Sequence, residues 1–434
     1  MNEIGHEKPS PLPSSSRSLY LILASLAYVA IMLTVAASSV QVLLANYLGA
    51  TYFYESGAHP HLNDFVPYYA AASLGRHCLI SHECIYSPAL QAHFADLALA
   101  PQSLTHQFTL QYPPFTFAWL MPLAVYNLQN AFLVLNAISC LALLASLLIL
   151  GRMTKNPMLV QLLIFAGAAA SFPVLKCLEQ GQLSNIVLLV LTVFWYFLRE
   201  KRYYAAASVI AVGVVKIQYL PFVGLVGLIV GRGKFMVGLG ASYAGLALLC
   251  LTLFGPDAIS AYPHAILNGE TVGLVEHHYM NNILGQVLAL TGNLRVASIV
   301  SMSCLAAGLA FVAYLWQGWY KKNSQQTGSF EACAAVTSLI MPVTSPHTFT
   351  YDYVFYIMAV SFILMWLRQH RAETAIKLTA RVFLIAIFLL PFATWIFELA
   401  FANVTAPLPR GLPITGLLMA VFFFRAMRKA SAAT

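Results

Sequence analysis

The sequence predicts an all-α polytopic membrane protein of about twelve transmembrane helices, and three observations carry that prediction. The 434 residues are 60% hydrophobic and only 9% charged, against roughly 25% charged in an ordinary soluble domain, and the mean hydropathy is +0.75. Apolar runs of about 20 residues recur along the chain, the length of helix a bilayer core demands. They are continuous rather than alternating, which excludes a β-barrel. Basic residues gather in every second connection between the runs. The net charge of +8 therefore reads as loop charge that sets orientation, and no nucleic-acid partner is expected.

Taken in order, residues 1–18 (MNEIGHEKPSPLPSSSRS) are polar and rich in Pro and Ser, and are expected to form a disordered cytoplasmic tail. The apolar run from Leu19 to about Leu48 is too long for a signal-peptide core and lacks a cleavage site, so it reads as a retained first helix. A polar segment, 51–111, follows. Further spans are expected near 115–150, 159–177, 183–198, 203–216, 217–230, 235–254, 295–317, 331–345, 353–367, 382–401 and 411–425. The membrane domain thus covers 19–428, and 429–434 form a second short tail. The 115–150 run exceeds one span, and Pro113, Pro114 and Pro122 mark an irregular entry.

If the spans alternate, Arg17, Arg152, Lys155, Arg199, Lys201, Arg202, Arg232, Lys234, Lys321, Lys322, Arg368, Arg371, Lys377, Arg381, Arg425, Arg428 and Lys429 share one side. By the positive-inside rule that side is the cytoplasm. Both termini are then cytoplasmic, and the stretches 51–111, 255–294 and 345–352 are external. The expected location is a bacterial inner or plasma membrane, with the working face outside. One place strains the scheme: 29 residues separate Arg202 from Arg232, about 44 Å of helix. Two short segments turning near Lys216–Pro221 satisfy the charge pattern, and such a broken pair must line protein or a wet cavity.

The chemistry-bearing residues concentrate in the external stretches. Segment 51–111 holds six of the twelve histidines, with Glu55, Asp64, Glu83 and Asp96. Asp64 precedes FVPYYAAASLG, a helix with Pro67 in its first turn. It reads either as a helix N-cap or as a reactive carboxylate beside Phe65, Tyr68 and Tyr69, rings able to stack on a sugar. Lys176 and Lys216 lie in apolar surroundings, where an ion needs a partner or a purpose; each either snorkels to the interface or meets a lipid phosphate. Arg295, at the mouth of a span, suits the same phosphate role. The string Glu179-Gln180-Gly181-Gln182-Leu183-Ser184-Asn185 is a polar knot between two spans. In TSPHTFTYDY, His347 and Asp352 either pair at an external surface or are ordinary interfacial residues. The second external stretch adds Asp257, His264, Glu270, Glu276, His277, His278, Asn281 and Asn282.

Of seven cysteines, Cys78 and Cys84 lie in the first external stretch, where either a disulfide or two thiols is compatible with an oxidising compartment. The other five read as small hydrophobes. No zinc-type Cys/His spacing recurs and no Gly-rich phosphate loop is present, so neither a metal nor a cofactor is expected. Gly227 and Gly231 form a lone small-xxx-small pattern.

The order and spacing of these strings resemble the family 87 glycosyltransferases, membrane enzymes of the type-C architecture that include polyprenol-phosphate-mannose-dependent mannosyltransferases. The resemblance covers most of residues 20–425. It rests on Asp64 with Tyr68, Tyr86 to Pro88, Tyr112-Pro113-Pro114, Gly181-Gln182 with Asn185, Lys216 and Pro221, and Ser345-Pro346-His347. It implies that the long first external loop supplies an acidic residue, matched here by Asp64. The implied reaction is inverting transfer of mannose, or another hexose or pentose, from a polyprenyl monophosphate donor to a hydroxyl of a lipid or glycan acceptor. Asp64 would be the general base. Lys216, Arg295 and His277 or His347 would stabilise the departing phosphate, with Tyr68, Gln182 and Asn185 in the pocket and membrane lipids around it. Some type-C enzymes use a divalent metal; the acidic pair for one is not evident. Two rival classes stay open: a flippase or secondary transporter, which suits twelve spans and an intramembrane lysine, and an oligosaccharide polymerase or ligase using a pyrophosphate-linked donor.

Overall fold

The computed structural model describes residues 64–81, 85–100, 112–213, 215–268, 280–321, 329–369 and 411–432, with scattered positions between 23 and 41. All regular structure among these residues is helical. The expected tail 1–18, most of the first run at 19–48 and the span at 382–401 lie outside the described residues, as do His277 and Cys84.

The segment read as a long external loop contains two helices, α1 (Phe65–Ser81) and α2 (Pro88–Leu99). Helix α2 starts where its sequence says it should: Pro88 takes the first turn, and the Ser87 hydroxyl accepts the Leu90 N–H at 3.4 Å. The prolines expected to disturb the next entry do so. A short helix α3 (Pro114–Leu120) tightens into a 3₁₀ turn, Met121–Val125, before α4 (Leu128–Thr154) begins. Asn127 caps α4 by accepting the Asn130 N–H at 2.9 Å, and Lys155 ends it in a left-handed conformation (φ 49°).

Helices α5 (Met158–Ala169) and α6 (Phe172–Glu179) are bent by 47° at the Pro173 break, one broken unit in place of a straight 159–177 span. Next come α7 (Ser184–Arg199) and α8 (Tyr203–Gly213). A 3₁₀ turn at Ile217–Tyr219 leads into α9 (Leu220–Asn268). The expected break near Lys216–Pro221 is therefore present. Helix α9 is itself interrupted at Arg232 (φ 47°, ψ −134°) and at Gly255 (φ 76°). A straight helix of 49 residues would run about 74 Å, more than twice the roughly 30 Å of a bilayer core. The chain turns back at Arg232 instead. A Cβ on Gly227 would lie 2.3 Å from the Phe235 ring, and one on Gly231 would lie 2.8 Å from Phe235 Cβ. Beyond the turn, Ser242 donates to Ser208 on α8 at 2.9 Å. The Gly227–Gly231 pair thus seats Phe235 of the same chain.

Helices α10 (Ile283–Thr291), α11 (Leu294–Lys321), α12 (Ser329–Thr344), α13 (Tyr356–Gln369) and α14 (Gly411–Ala432) complete the bundle, with a 3₁₀ turn at Thr350–Phe355 ahead of α13. The stretch read as external at 255–294 is partly helical, since α9 persists to Asn268 and α10 lies within it. Helix α14 likewise continues through most of the expected second tail. Among the described residues, four helices are long and apolar enough to cross a membrane, or five if the bent α5–α6 pair is one span; α7, α8 and parts of α12 and α14 are shorter apolar helices.

The bundle has two chemically different ends. At one, Arg199 on α7 pairs with Glu331 on α12 (3.0 Å) and donates to the Met153 carbonyl (2.5 Å), while Arg368 on α13 donates to the carbonyls of Lys155 (2.7 Å) and Thr154 (3.1 Å). The arginines thereby satisfy the last carbonyls of α4. Just inside this end, Trp195 stacks on Trp316 at 5.6 Å, with Phe330 and Trp319 set edge-on. Helix α7 is about 24 Å long, and its opposite end, at Ser184, meets the 3₁₀ turn before α13.

Candidate active site

The polar knot between α6 and α7 organises this second end. Gly181 adopts φ 61°, and a Cβ there would lie 2.7 Å from Phe65 Cβ and 2.9 Å from the Phe132 ring. Only glycine permits both the left-handed turn and this approach to the start of α1. The approach delivers Gln182 to Asp64. Gln182 Nε2 donates to Asp64 Oδ2 at 2.6 Å, and its Oε1 accepts the Tyr68 hydroxyl at 2.9 Å. Tyr68 lies one helical turn beyond Asp64, on the same face. Its hydroxyl meets that of Tyr112 at 2.9 Å and the two rings stack at 5.7 Å. Tyr86 then donates to the Tyr112 carbonyl at 2.6 Å.

A second group sits beside the first. Lys216, at the break between α8 and the 3₁₀ turn, donates to Asp352 Oδ1 at 2.5 Å and to Ser184 Oγ at 2.9 Å. The Ser184 hydroxyl donates to the same Asp352 oxygen at 2.7 Å, and Asp352 Oδ2 accepts the Phe349 N–H at 3.1 Å. The Lys216 ammonium lies 4.5 Å from the centre of the Tyr351 ring. Lys216, Ser184 and Asp352 are all buried. A buried ion pair survives only when hydrogen bonds satisfy what the partner leaves over, and here Ser184 and the Phe349 amide do so. Tyr351 joins the two groups, since the Lys216 ammonium lies over its ring and its hydroxyl helps to stabilise the Asp64 carboxylate.

Asp64 as a residue is half-buried, with its carboxylate turned toward Gln182. Burial pushes its carboxyl above the ordinary value of 3.8; the Gln182 hydrogen bond, the Lys216 charge and the Tyr351 hydrogen bond pull it down without cancelling that effect. Burial also holds the Tyr68 phenol well above its usual range, so it stays a protonated donor. The result is one carboxylate of enhanced basicity, held by an amide that also accepts a phenol, with a compensated cation nearby. That is the construction a general base requires.

The sequence-selected residues divide on this geometry. Asp64, Tyr68 and Gln182 come together, with Lys216 adjacent. Asn185 is buried on the α4 side, where its amide donates to Ser139 Oγ at 3.0 Å. His347 is exposed at the rim; its carbonyl accepts from Gln218 at 2.9 Å and its ring meets Phe349 edge-on at 5.0 Å. The expected surface pairing of His347 with Asp352 gives way to a buried one, since Asp352 points inward to Lys216. Lys216, expected as an open phosphate ligand, has its charge matched within the protein. Arg295 is exposed in the first turn of α11. Lys176 pairs with Glu179 at 2.7 Å, one turn along α6. The stretches 255–294 and 345–352 meet: the Asn281 N–H donates to the Thr348 carbonyl at 2.8 Å and Asn282 Nδ2 to the Ser345 carbonyl at 2.9 Å. Cys78 is buried within α1. Among the described residues no group of three or more His, Cys, Asp or Glu is placed to hold a metal ion.

Sequence reasoning named Ser184 within the polar knot without giving it a role, and missed Tyr351 and the inward role of Asp352. A signal for the last existed: an intramembrane lysine demands a counter-charge, and few acids lie in apolar runs here.

The family model for glycosyltransferase family 87 matches residues 108–346. That stretch includes Tyr112, Gln182, Ser184 and Lys216, and lies between Asp64 and Asp352. No curated protein and no solved structure matches the chain.

Proposed function

The chain belongs to glycosyltransferase family 87, and from that premise we propose that it transfers a sugar, mannose or another hexose or pentose, from a polyprenyl monophosphate to a lipid or glycan hydroxyl. The observation that carries this reading is the Asp64 carboxylate, fixed by Gln182 and flanked by Tyr68 and Tyr351. Asp64 takes the proton of the acceptor hydroxyl as that oxygen attacks the anomeric carbon; the bond to the phosphate breaks on the opposite face, inverting the centre. Such a base contributes about 10²- to 10⁴-fold, and alignment of two membrane-held substrates supplies much of the remainder. The donor phosphate departs toward the cationic side of the cluster, where Lys216 contributes its field through the Asp352 pair, with Arg295, His347 and His277 as the external groups available to it.

Two features support an external working face in a type-C bundle of about twelve crossings with both termini in the cytoplasm. Asp64 and Ser184 stand at the end of the bundle opposite Arg199 and Arg368, and basic residues favour the cytoplasmic side. The acids of the site also gather at a bundle end rather than at mid-depth, which favours transfer over flipping. Detergent-solubilised protein, given radiolabelled polyprenyl-phosphate sugar and an extract of acceptor lipids, is expected to yield labelled product without a sealed compartment, and Asp64→Asn none. Movement of label only across sealed vesicles would support the transporter class, and use of pyrophosphate donors alone the polymerase class.

A further inference from the structure

At the basic end, the turn at Arg232 opens a cavity of about 500 Å³ lined by Leu228, Ile229, Arg232, Gln317, Tyr320 and Lys321. The volume falls within the roughly 300–1,000 Å³ of small-molecule sites. Its lining is sorted by chemistry. Leu228 and Ile229 supply an apolar wall from α9, Arg232 and Lys321 supply two cations at the mouth, and none of the lining residues is acidic.

The arginine is held in an unusual way. It stands between Gly231 and Gly233, yet the left-handed position of the turn falls on Arg232 rather than on either glycine. With ψ at −134° this lies outside the left-handed helical well, and a residue with a Cβ in so sparsely populated a region costs of order 1–3 kcal/mol, strain of a kind that gathers at functional sites. The guanidinium lies 4.4 Å from the centre of the Tyr320 ring, and among the described residues its donor edges carry no hydrogen bond or ion pair. Phe235, seated on Gly227 and Gly231, fixes the turn from behind.

We propose that this cavity binds the phosphate headgroup of an anionic glycerophospholipid, with Arg232 and Lys321 on the phosphate and an acyl chain along Leu228 and Ile229. Arginine suits the headgroup because its planar fork meets phosphate oxygens in pairs. The apolar wall selects a lipid over free phosphate. The site is independent of the transfer chemistry at the other end of the bundle.

The test uses delipidated full-length protein in neutral detergent, with thermal unfolding followed on addition of phosphatidylglycerol, phosphatidylcholine or glycerol phosphate. Phosphatidylglycerol is expected to raise the midpoint and to be retained in native mass spectra, while the other two do neither. The Arg232→Gln, Lys321→Gln double variant is expected to lose both responses, and the charge-matched Arg152→Gln, Lys155→Gln control to keep them. Equal response to phosphatidylcholine, or equal loss in the control, would overturn the site in favour of general attraction to the bundle end. Full response to glycerol phosphate alone would overturn the lipid in favour of a soluble phosphate. A Tyr320→Leu variant, which keeps both charges, is expected to weaken retention and guards against misfolding of the double variant.

Discussion

Lys216 and Asp352, 136 positions apart, meet at 2.5 Å inside the bundle, and Ser184 bonds both. The pair ties the break before α9 to the turn before α13 and the start of α7, the three places from which the site is assembled. Removing one partner leaves the other charged and buried, at about 3–5 kcal/mol. Lys216→Met and Asp352→Asn are each expected to destabilise by that order, and the double variant by less than their sum. Denaturation of all four forms in detergent measures the coupling; additive losses would mean that the contact is incidental.

Asp64→Asn preserves the Gln182 contact and the packing of α1. It is expected to leave the unfolding midpoint nearly unchanged and to lower transfer by about 10²- to 10⁴-fold, the worth of a general base. Initial rates with labelled donor decide the matter, and near-parent activity would remove Asp64 from the chemistry.

Gln182→Leu tests the carboxyl through its titration. Burial raises the Asp64 carboxyl above 3.8, and the Gln182 hydrogen bond opposes that rise. Loss of the bond therefore raises it further. A base must be deprotonated to act, so the acidic limb of the kcat/KM profile is expected to move to higher pH in the variant, with the plateau reached later. An unmoved limb, or one displaced toward acid, would contradict the assignment.

Two left-handed glycines separate conformation from space. Gly181→Ala must adopt φ 61° and also press on Phe65 and Phe132, whereas Gly292→Ala at φ 63° meets open space. The second is expected to lose roughly 1–2 kcal/mol. The first is expected to lose more and to reduce transfer as well, since Phe65 adjoins Asp64. Paired melts and rate measurements on the two variants check this.

Much of the scaffold was legible because apolar length and basic bias are local properties. The breaks at Lys216–Pro221 and at Pro113–Pro122 followed from charge sidedness and from proline, and both are present. Asp64, Tyr68 and Gln182 were each singled out in the sequence. Their mutual contacts were not legible, because they depend on one glycine conformation 117 residues beyond Asp64. Asp352 was misplaced to the surface because TYDY is polar locally, while the counter-charge that draws it inward is supplied by another helix. The 255–294 stretch was read as loop on its polarity, yet past the break at Gly255 its backbone is helical to Asn268, with Pro256 at the start of that segment and Pro263 within it.

Three of the six tryptophans, Trp195, Trp316 and Trp319, share one aromatic stack near the arginine-rich pole. As emitters they gauge that pole, and a sugar donor settling beside Asp64 would sit at the other one. A molecule resting on Tyr320, the residue after Trp319, quenches or shifts their emission. Most of the described indole emission thus comes from the pole away from Asp64, with Trp119 on α3 at the other, so a fluorescence titration of the stack reports on the Tyr320 end of the bundle.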